Sequence, residues 1–329
     1  MMALETVADP APQQGDLIIR MTAAAICGTD IRIYRGRKTK GVRRPSVLGH
    51  EFTGEIVDSG GHEGWKTGDR VAVCPALGCG QCRECQIGAE NICASLAAFG
   101  YELDGGFAEL VRVPQAFVKA GNVLRLADGV SSELAALAEP LACVINGQEV
   151  MGLKRGGSVA VLGTGPIGLL HLMLARHTGA ARVIAVQRSA HRRAAALELG
   201  ADSAIPPDEA DGLQVDAAIV AVGSPELANL AARITRPRGK ISLFAGFPAG
   251  VETPFDLNAI HYGEHSVTGA FGLTRKQFAQ ALELIATGAL PVAKLISHRF
   301  ALDDAMAAFA IAEQGSALKV VITGSSSSS

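Results

Sequence analysis

A chain of 329 residues with 30 basic and 32 acidic side chains carries a formal charge of −2, which argues against a general nucleic-acid or membrane-surface binder, since such partners need a net basic field. With 48% hydrophobic residues and a mean hydropathy of +0.25 it is not a disordered polymer, and its length suits two joined domains better than one core. The expected partner is a small molecule, with no nucleic acid and no membrane.

The opening MMALETVADPAP has neither a basic n-region nor an apolar h-region, so a cytoplasmic location is expected. The apolar run IIRMTAAA leads into ICGTD, which presents Cys27, Thr29 and Asp30. Next comes YRGRKTKGVRRP, Tyr34 to Pro45, with six basic residues and no acid. Two readings of it stand: a solvated charge run, as most are, or an attractant for an anionic substrate. LGHEFTG then supplies His50 and Glu51. A lone Cys or His beside apolar sequence is more often core than ligand. Together, however, a thiolate, an imidazole and a carboxylate suit a zinc ion that keeps one position open for catalysis.

Four of the seven cysteines, Cys79, Cys82, Cys85 and Cys93, follow as C-x2-C-x2-C-x7-C. In a reducing compartment such clustering favours metal over disulfides, and four thiolates complete a tetrahedral, closed, structural zinc site. Further on, EPLACVINGQ presents Glu139 and Cys143.

From Gly156 the pattern changes. GGSVAVLGTGPIGLLHLMLAR reads as a turn, a buried strand from Ser158 to Leu162, a glycine loop and a helix, with Gly163, Gly165 and Gly168 forming G-x-G-x-x-G around Thr164, Pro166 and Ile167. That placement lets pyrophosphate approach a helix N-terminus. The glycines and His171 break the apolar window, so it is not expected to span a membrane.

In RVIAVQRSAHRR a strand from Val183 to Val186 ends at Gln187, Arg188 and Ser189, where an acid would hold the adenosine ribose hydroxyls and repel a 2′-phosphate. With the acid missing, Arg188 can fork onto that phosphate, Ser189 can donate to it, and Arg192 or Arg193 can add positive field. NADP(H) is therefore preferred over NAD(H); the plainer reading makes these arginines a solvated helix start. Strand-like VDAAIVAVG and GKISLFAGF alternate with helical SPELANLAARIT and RKQFAQALELIATG, the pattern of a doubly wound parallel sheet. The closing GSSSSS is low-complexity and stands outside the fold.

The segments AAAICGTD, LGHEFTGEIV, GDRVAV, the four-cysteine loop, DGGFAEL, EPLACVINGQ and GTGPIG occur in the order seen in the zinc-dependent medium-chain dehydrogenases. From about Asp9 to Thr323 the chain resembles their polyol and sorbitol branch. The resemblance implies an α/β protein, with a GroES-like β-rich catalytic domain from residues 1–143 and 291–329 and a Rossmann domain, a doubly wound parallel sheet, from 144–290. It also implies two zinc ions per chain. The catalytic one would take Cys27, His50 and either Glu51 or Glu139. Glu139 is favoured, because it stands where alcohol-dehydrogenase relatives place a third cysteine ligand, and Glu51 would swing in when water exchanges. Cys143 is assigned to packing.

Asp30 would accept a hydrogen bond from His50 and fix its tautomer, and Thr29 matches the family's hydroxyl relay. Arg32 departs from the family, standing where many relatives carry a His; it stays protonated and cannot shuttle, so the outer relay must use water, the cofactor ribose or another group. Val222, Gly223, Ala270 and Phe271 join the expected cofactor contacts, and Phe99 and Phe271 are candidates to line an apolar cleft. Relatives also have a strand before the segment matching LETVADPAP, so either that first strand is missing here or this edge of the sheet is built differently.

The activity implied is hydride transfer between NAD(P) and a secondary alcohol or ketone of a polyol, sugar or cyclitol, neutral or phosphorylated, by a homo-oligomer (dimer or tetramer). A non-catalytic zinc and dinucleotide binder and a zinc-independent alkene or quinone reductase are the rivals. Retention of Cys27, Thr29, Asp30, His50, Glu51 and Glu139 counts against both.

Overall fold

The computed structural model describes residues 2–247, 250, 252 and 255–324; Ser325–Ser329 of the serine tail lie outside the described residues. No strand precedes Leu17 among the described residues, so the sheet begins directly with β1 (Leu17–Ala25). In β1 only Arg20 is exposed, a sign that both faces of this central strand are covered. The chain turns through α1 (Gly28–Tyr34) and returns as β2 (Glu51–Asp58) and β3 (Arg70–Val73). A lobe follows, in which β4 (Ala76–Leu77) pairs with β5 (Ala97–Ala98) and the short helix α2 (Arg83–Gln86) lies between them in sequence. Then come β6 (Leu110–Val113), α3 (Gln115–Lys119), β7 (Val123–Arg125), α4 (Ser132–Ala135) and α5 (Ala138–Met151).

The next stretch alternates strand and helix: β8 (Ser158–Leu162), α6 (Pro166–His177), β9 (Arg182–Val186), α7 (Ala190–Glu198), β10 (Ser203–Ile205), β11 (Val215–Val220), α8 (Pro225–Ile234), β12 (Thr235–Leu243), α9 (Leu257–Gly263) and β13 (Ser266–Gly269). These six strands form one parallel sheet in the order β10-β9-β8-β11-β12-β13. Numbered from β8 this is 3-2-1-4-5-6, the Rossmann order, whose reversal between β8 and β11 marks the place for a dinucleotide. In β8 and β9 four consecutive residues are fully buried, as expected for parallel strands covered on both faces.

The chain returns through α10 (Arg275–Ala286), β14 (Ile296–Ala301), α11 (Ala305–Gln314) and β15 (Lys319–Thr323). The last two strands complete the first sheet, ordered β14-β15-β1-β2-β3-β7, with β6 also paired to β1. β2 runs along one edge of β1. On the other edge β6 pairs with residues 17–20 and β15 with residues 23–25.

The chain divides into two compact units, one of Met1–Ala142, Leu273–Gly288 and Val292–Ser329, the other of Cys143–Gly272 with Ala289–Pro291. The first is the GroES-like β-rich fold and the second the Rossmann fold. Helix α10 belongs to the first unit and does not continue the alternation of the second. Its buried face, Phe278, Ala281, Leu282 and Ile285, lies in the unit that holds α4, against which it packs.

The core of the first unit contains Phe52, Phe99 and Phe117 in edge-to-face contact, with ring centroids 5.3 and 4.8 Å apart. Phe99 is thus a core residue and not part of a cleft wall, because its ring is fully buried between the other two. Each such ring contributes about 2–3 kcal/mol by burial.

Candidate active site

The four-cysteine lobe is compact. Cys79, Cys82, Cys85 and Cys93 offer sulfurs that all lie within 4.8 Å of one another. Cys82 Sγ is 3.7 Å from Cys93 Sγ, and the backbone N–H groups of Cys79 and Cys82 donate to Cys93 Sγ and Cys79 Sγ at 3.4 Å. N–H groups of Gln81 and Cys82 pull the Cys79 thiol down to about 6. Although the Cys85 N–H pulls Cys82 the same way, its desolvated setting among the other sulfurs pushes it up to about 12. Crowded sulfurs ionise at one another's expense, and a cation removes that conflict. A Cβ on Gly78 would stand 2.7 Å from Cys85 Sγ, so only glycine lets the backbone pass this close. No disulfide forms among the seven cysteines. The donor set fits a closed zinc site.

The second group comes from separate elements of the first unit. Cys27 caps α1 in a capping box: its Sγ accepts from the Thr29 N–H at 3.4 Å, and its own N–H donates to Asp30 Oδ2 at 2.9 Å. His50 and Glu51 enter at the start of β2, where Glu51 pairs with Ala25 of β1, two residues before Cys27. One ligand atom each from Cys27, His50 and Glu51 falls within 4.8 Å of the others. His50 Nδ1 lies 3.2 Å from Asp30 Oδ1, an ion-pair distance outside hydrogen-bond alignment.

Burial disfavours the charged form of His50, but Asp30 and Cys27 outweigh it and hold the ring well above its ordinary range. Burial is also the largest influence on Glu51 and pushes its carboxyl up, against the pull of Lys319. Glu51 Oε1 is buried with no hydrogen-bond partner. An orphaned carboxylate oxygen beside a thiol and an imidazole fits a cation.

Glu139 stands half-buried in the first turn of α5, electrostatically linked to Tyr101, Cys74 and Lys319. Cys143 is half-buried. The Tyr101 ring lies 5.7 Å from that of His50.

Lys319 was invisible to sequence reasoning. It is 4% exposed on β15 and bonds Glu51. Its only sequence signal was a lysine beside the apolar run VVIT.

The basic loop is partly neutralised. Arg35 pairs with Glu313, Arg43 with Asp104, and Lys38 stands 5.1 Å from the centre of the Tyr101 ring. Half of its six cations therefore have local work, which weakens the loop as a free anion trap. Arg32 is exposed and its carbonyl accepts from the Arg37 and Lys38 N–H groups.

In the second unit a pocket of about 210 Å³ is lined by Gly163, Gly165, Val186, Gln187, Arg188, Arg192, Pro207, Ala221, Val222 and Leu227. A Cβ on Gly168 would meet the Gly163 carbonyl at 1.9 Å, so helix α6 can start this close to its strand only with glycine there. Thr164 is buried and donates to the Arg192 carbonyl at 3.3 Å, Gly165 caps α6, and Pro166 opens it with Ile167 next. The backbone of Gly223 passes close to the Gly246 carbonyl, 2.3 Å from where a Cβ would sit.

The turn after β9 is more structural than expected. Ser189 caps α7, Gln187 Oε1 accepts from the Ser189 N–H at 3.3 Å, and Arg193 donates to the carbonyls of Gln187 and Arg188. That leaves Arg188 and Arg192 as the cations lining the pocket. Pro207, Ala221 and Leu227 went unnoticed, being apolar residues without a motif. Ala270 is half-buried and Phe271 is 65% exposed, and Asn146 donates to the carbonyls of Phe271 and Gly272 at 3.2 and 3.0 Å.

Residues 13–122 match the family model described as alcohol dehydrogenase GroES-like domain, and residues 166–287 the one described as zinc-binding dehydrogenase. L-threonine 3-dehydrogenase of Pyrococcus furiosus is 33% identical over 327 residues, covering 95% of this chain and 92% of that protein. A Sinorhizobium meliloti structure described as a zinc-binding dehydrogenase bound to NADP is 32% identical with a TM-score of 0.89, over 96% of this chain and 94% of the other. The 2R,3R-butanediol dehydrogenase structure from Bacillus subtilis is 29% identical with a TM-score of 0.86, over 97% and 95%. Among the described residues no helix is long and apolar enough to cross a membrane.

Proposed function

This chain belongs to the zinc-dependent medium-chain dehydrogenases, and from that premise we propose that it moves a hydride between NADP(H) and the secondary alcohol or ketone carbon of a polyol-like substrate. The observation that carries this reading is the buried meeting of Cys27, His50 and Glu51, with Glu51 Oε1 unpaired. Zinc bound there supplies the Lewis acidity that makes an alcohol hydroxyl easy to deprotonate near neutral pH. In this reading Cys27 and His50 are ligands, the third is a carboxylate, Glu51 from the buried cluster or Glu139 as the resemblance favours, and Asp30 keeps His50 oriented from 3.2 Å away. Thr29, beside Cys27, takes the substrate's proton on its hydroxyl. Arg32 is exposed and always protonated, so the proton leaves through water or the cofactor ribose. The four-cysteine lobe takes a second, structural zinc.

The cofactor preference rests on the turn after β9, which offers Arg188 and Arg192 to the pocket and no acid. The NADP-bound relative supports it. L-threonine and 2R,3R-butanediol, named for two relatives, share with polyols a secondary alcohol whose neighbouring carbon carries a second polar group. We take that vicinal pattern as the substrate class, with sugar alcohols and cyclitols, plain or phosphorylated, as members. A reducing cytoplasm and a homodimer or homotetramer accompany this reading.

The test is a fluorescence titration of zinc-replete protein with NADPH and NADH side by side, repeated on Arg188→Ala. NADPH should bind at least about tenfold tighter, about 1.4 kcal/mol, and the substitution should erase the difference. Equal or tighter NADH binding would make the arginines a solvated helix start and the enzyme an NAD-dependent polyol oxidiser.

A further inference from the structure

We propose that Lys38 is a specificity-determining residue that takes an anionic head group, a carboxylate or a phosphate, at the end of the substrate remote from the carbon that gives up hydride. The proposal rests on the polyol reading above and narrows its substrate class to charged polyols. Of the six cations between Tyr34 and Pro45, Lys38 alone is half-buried, and the other five are exposed. Arg35 and Arg43 are spent on Glu313 and Asp104. Lys38 Nζ instead stands 5.1 Å from the centre of the Tyr101 ring, and among the described residues it makes neither a hydrogen bond nor an ion pair. A ring face steadies an ammonium without occupying its three N–H donors.

The loop is fastened where such a donor is useful. The Arg43 N–H donates to the Tyr101 carbonyl at 2.9 Å, and the Val47 N–H to Asp104 Oδ1 at 2.9 Å. The segment after Tyr101 is tied in turn to the one that delivers His50. The N–H groups of Gly105, Phe107 and Gly106 donate to the carbonyls of Val47, Leu48 and Gly49 at 2.8, 3.0 and 2.8 Å. The Tyr101 ring thereby lies 5.7 Å from the His50 ring and neighbours both the candidate ligand and the lysine.

Charge gives this short path a direction. Burial pulls the Lys38 ammonium below its ordinary range, Arg32 and Lys40 pull it the same way, and Glu102 opposes them. Glu102 is itself engaged, since its Oε2 accepts from the Ala98 N–H at 3.1 Å. The lysine end is thus short of negative charge. At the other end Asp30 and Glu51 are buried at 0% and 1% exposure around Cys27 and His50, and carboxylates there repel a second anion. A substrate with one acid group is therefore turned so that the acid meets Lys38 and a carbinol faces the metal ligands. On a polyol with many similar hydroxyls, that orientation selects the one that is oxidised.

The test uses the full-length, zinc-replete protein as wild type, Lys38→Met, Lys38→Arg and Arg44→Gln, the last removing an exposed cation of the same loop. Oxidation with the tighter-binding dinucleotide is followed on hexitols, hexonates and hexitol 6-phosphates of several configurations, and NMR of the product identifies the oxidised carbon. The best anion is expected to exceed the best hexitol at least tenfold in kcat/KM and to be oxidised at one carbon remote from its charge. K38M should lose that preference through KM and give mixed products from the anion, while its hexitol turnover changes less than threefold. K38R and R44Q should keep both the preference and the single product. The leading anionic set names the head group, carboxylate for the hexonates and phosphate for the hexitol phosphates.

Hexitols oxidised as well as both anionic sets overturn the proposal, as does a K38M that slows anions and hexitols alike, since the lysine would then only brace the loop against Tyr101. Should K38M fail to fold, added salt on the wild type decides: a KM that rises for the leading anion and not for the hexitols supports the proposal, and one that stays put overturns it. A wild type that oxidises none of the three sets is a different failure, that of the polyol reading itself, and takes the proposal with it.

Discussion

Between Cys79 and Cys93 the chain gathers four sulfurs inside one short lobe, whereas Cys27, His50, Glu51 and Lys319 meet because β1, β2 and β15 are neighbours in one sheet. The first group needs only local turns. The second needs the tertiary fold, since its lysine lies 268 residues from the carboxylate it holds. The two also differ in charge. The lobe offers four donors of one kind, sulfur, while the second site sets acids, an imidazole and an ammonium together in the buried interior. A single kind of donor suits a closed, structural role, and a set graded from soft to hard donors suits chemistry.

Three perturbations would break or sharpen this contrast. His50→Ala should strike the graded site alone, removing one zinc per chain and lowering turnover on the order of 10³-fold or more; metal analysis with steady-state kinetics checks it. Turnover within tenfold of wild type would mean that the chemistry lies elsewhere. Cys85→Ser should do the reverse. Loss of the lobe's metal should cost stability on the order of 3 kcal/mol, visible as a lower Tm, while molecules that remain folded keep their order of magnitude in turnover.

The smallest effect concerns Asp16, which lies in neither metal group and so serves as a control on the first sheet. It is buried and accepts from the Gln13 N–H at 2.9 Å, the Arg112 Nε–H at 2.5 Å and the Gln115 N–H at 2.9 Å. Burial alone would raise its carboxyl, but these donors outweigh it and hold it below the ordinary 3.8. Protons therefore bind the unfolded chain first. The stabilisation is complete above the unfolded value and fades as pH falls through the lower folded one. Asp16→Asn should flatten the acid limb of a Tm-against-pH profile below about pH 4 and leave both metal sites loaded. An unchanged limb would show that Asp16 carries none of the acid sensitivity.

The same division between local and distant runs through the cofactor half. Gly163, Gly165 and Gly168 were legible because a tight turn and a close helix approach impose glycine at fixed spacing. The basic cluster after β9 was legible as charge but not as roles: Arg188 and Arg192 line the pocket, whereas Arg193 and Ser189 spend their hydrogen bonds on the turn and the helix cap. Side-chain aim depends on backbone direction, which residue type does not reveal. For the same reason Phe99, an apolar residue near a ligand segment, proved to be core.

By itself the sequence carried the four-cysteine lobe and the glycine turn, which follow from residue type and spacing over a few residues, and, through its resemblance to the zinc-dependent dehydrogenases, the family, the two folds and the expectation that Cys27 and His50 share a metal. Only the tertiary structure decided that α10 belongs to the first unit, that Phe99 is core, that three cations of the basic loop are engaged, and that Lys319 grips Glu51. Each of those depends on which distant segments a sheet register or a packed face brings within a few ångströms.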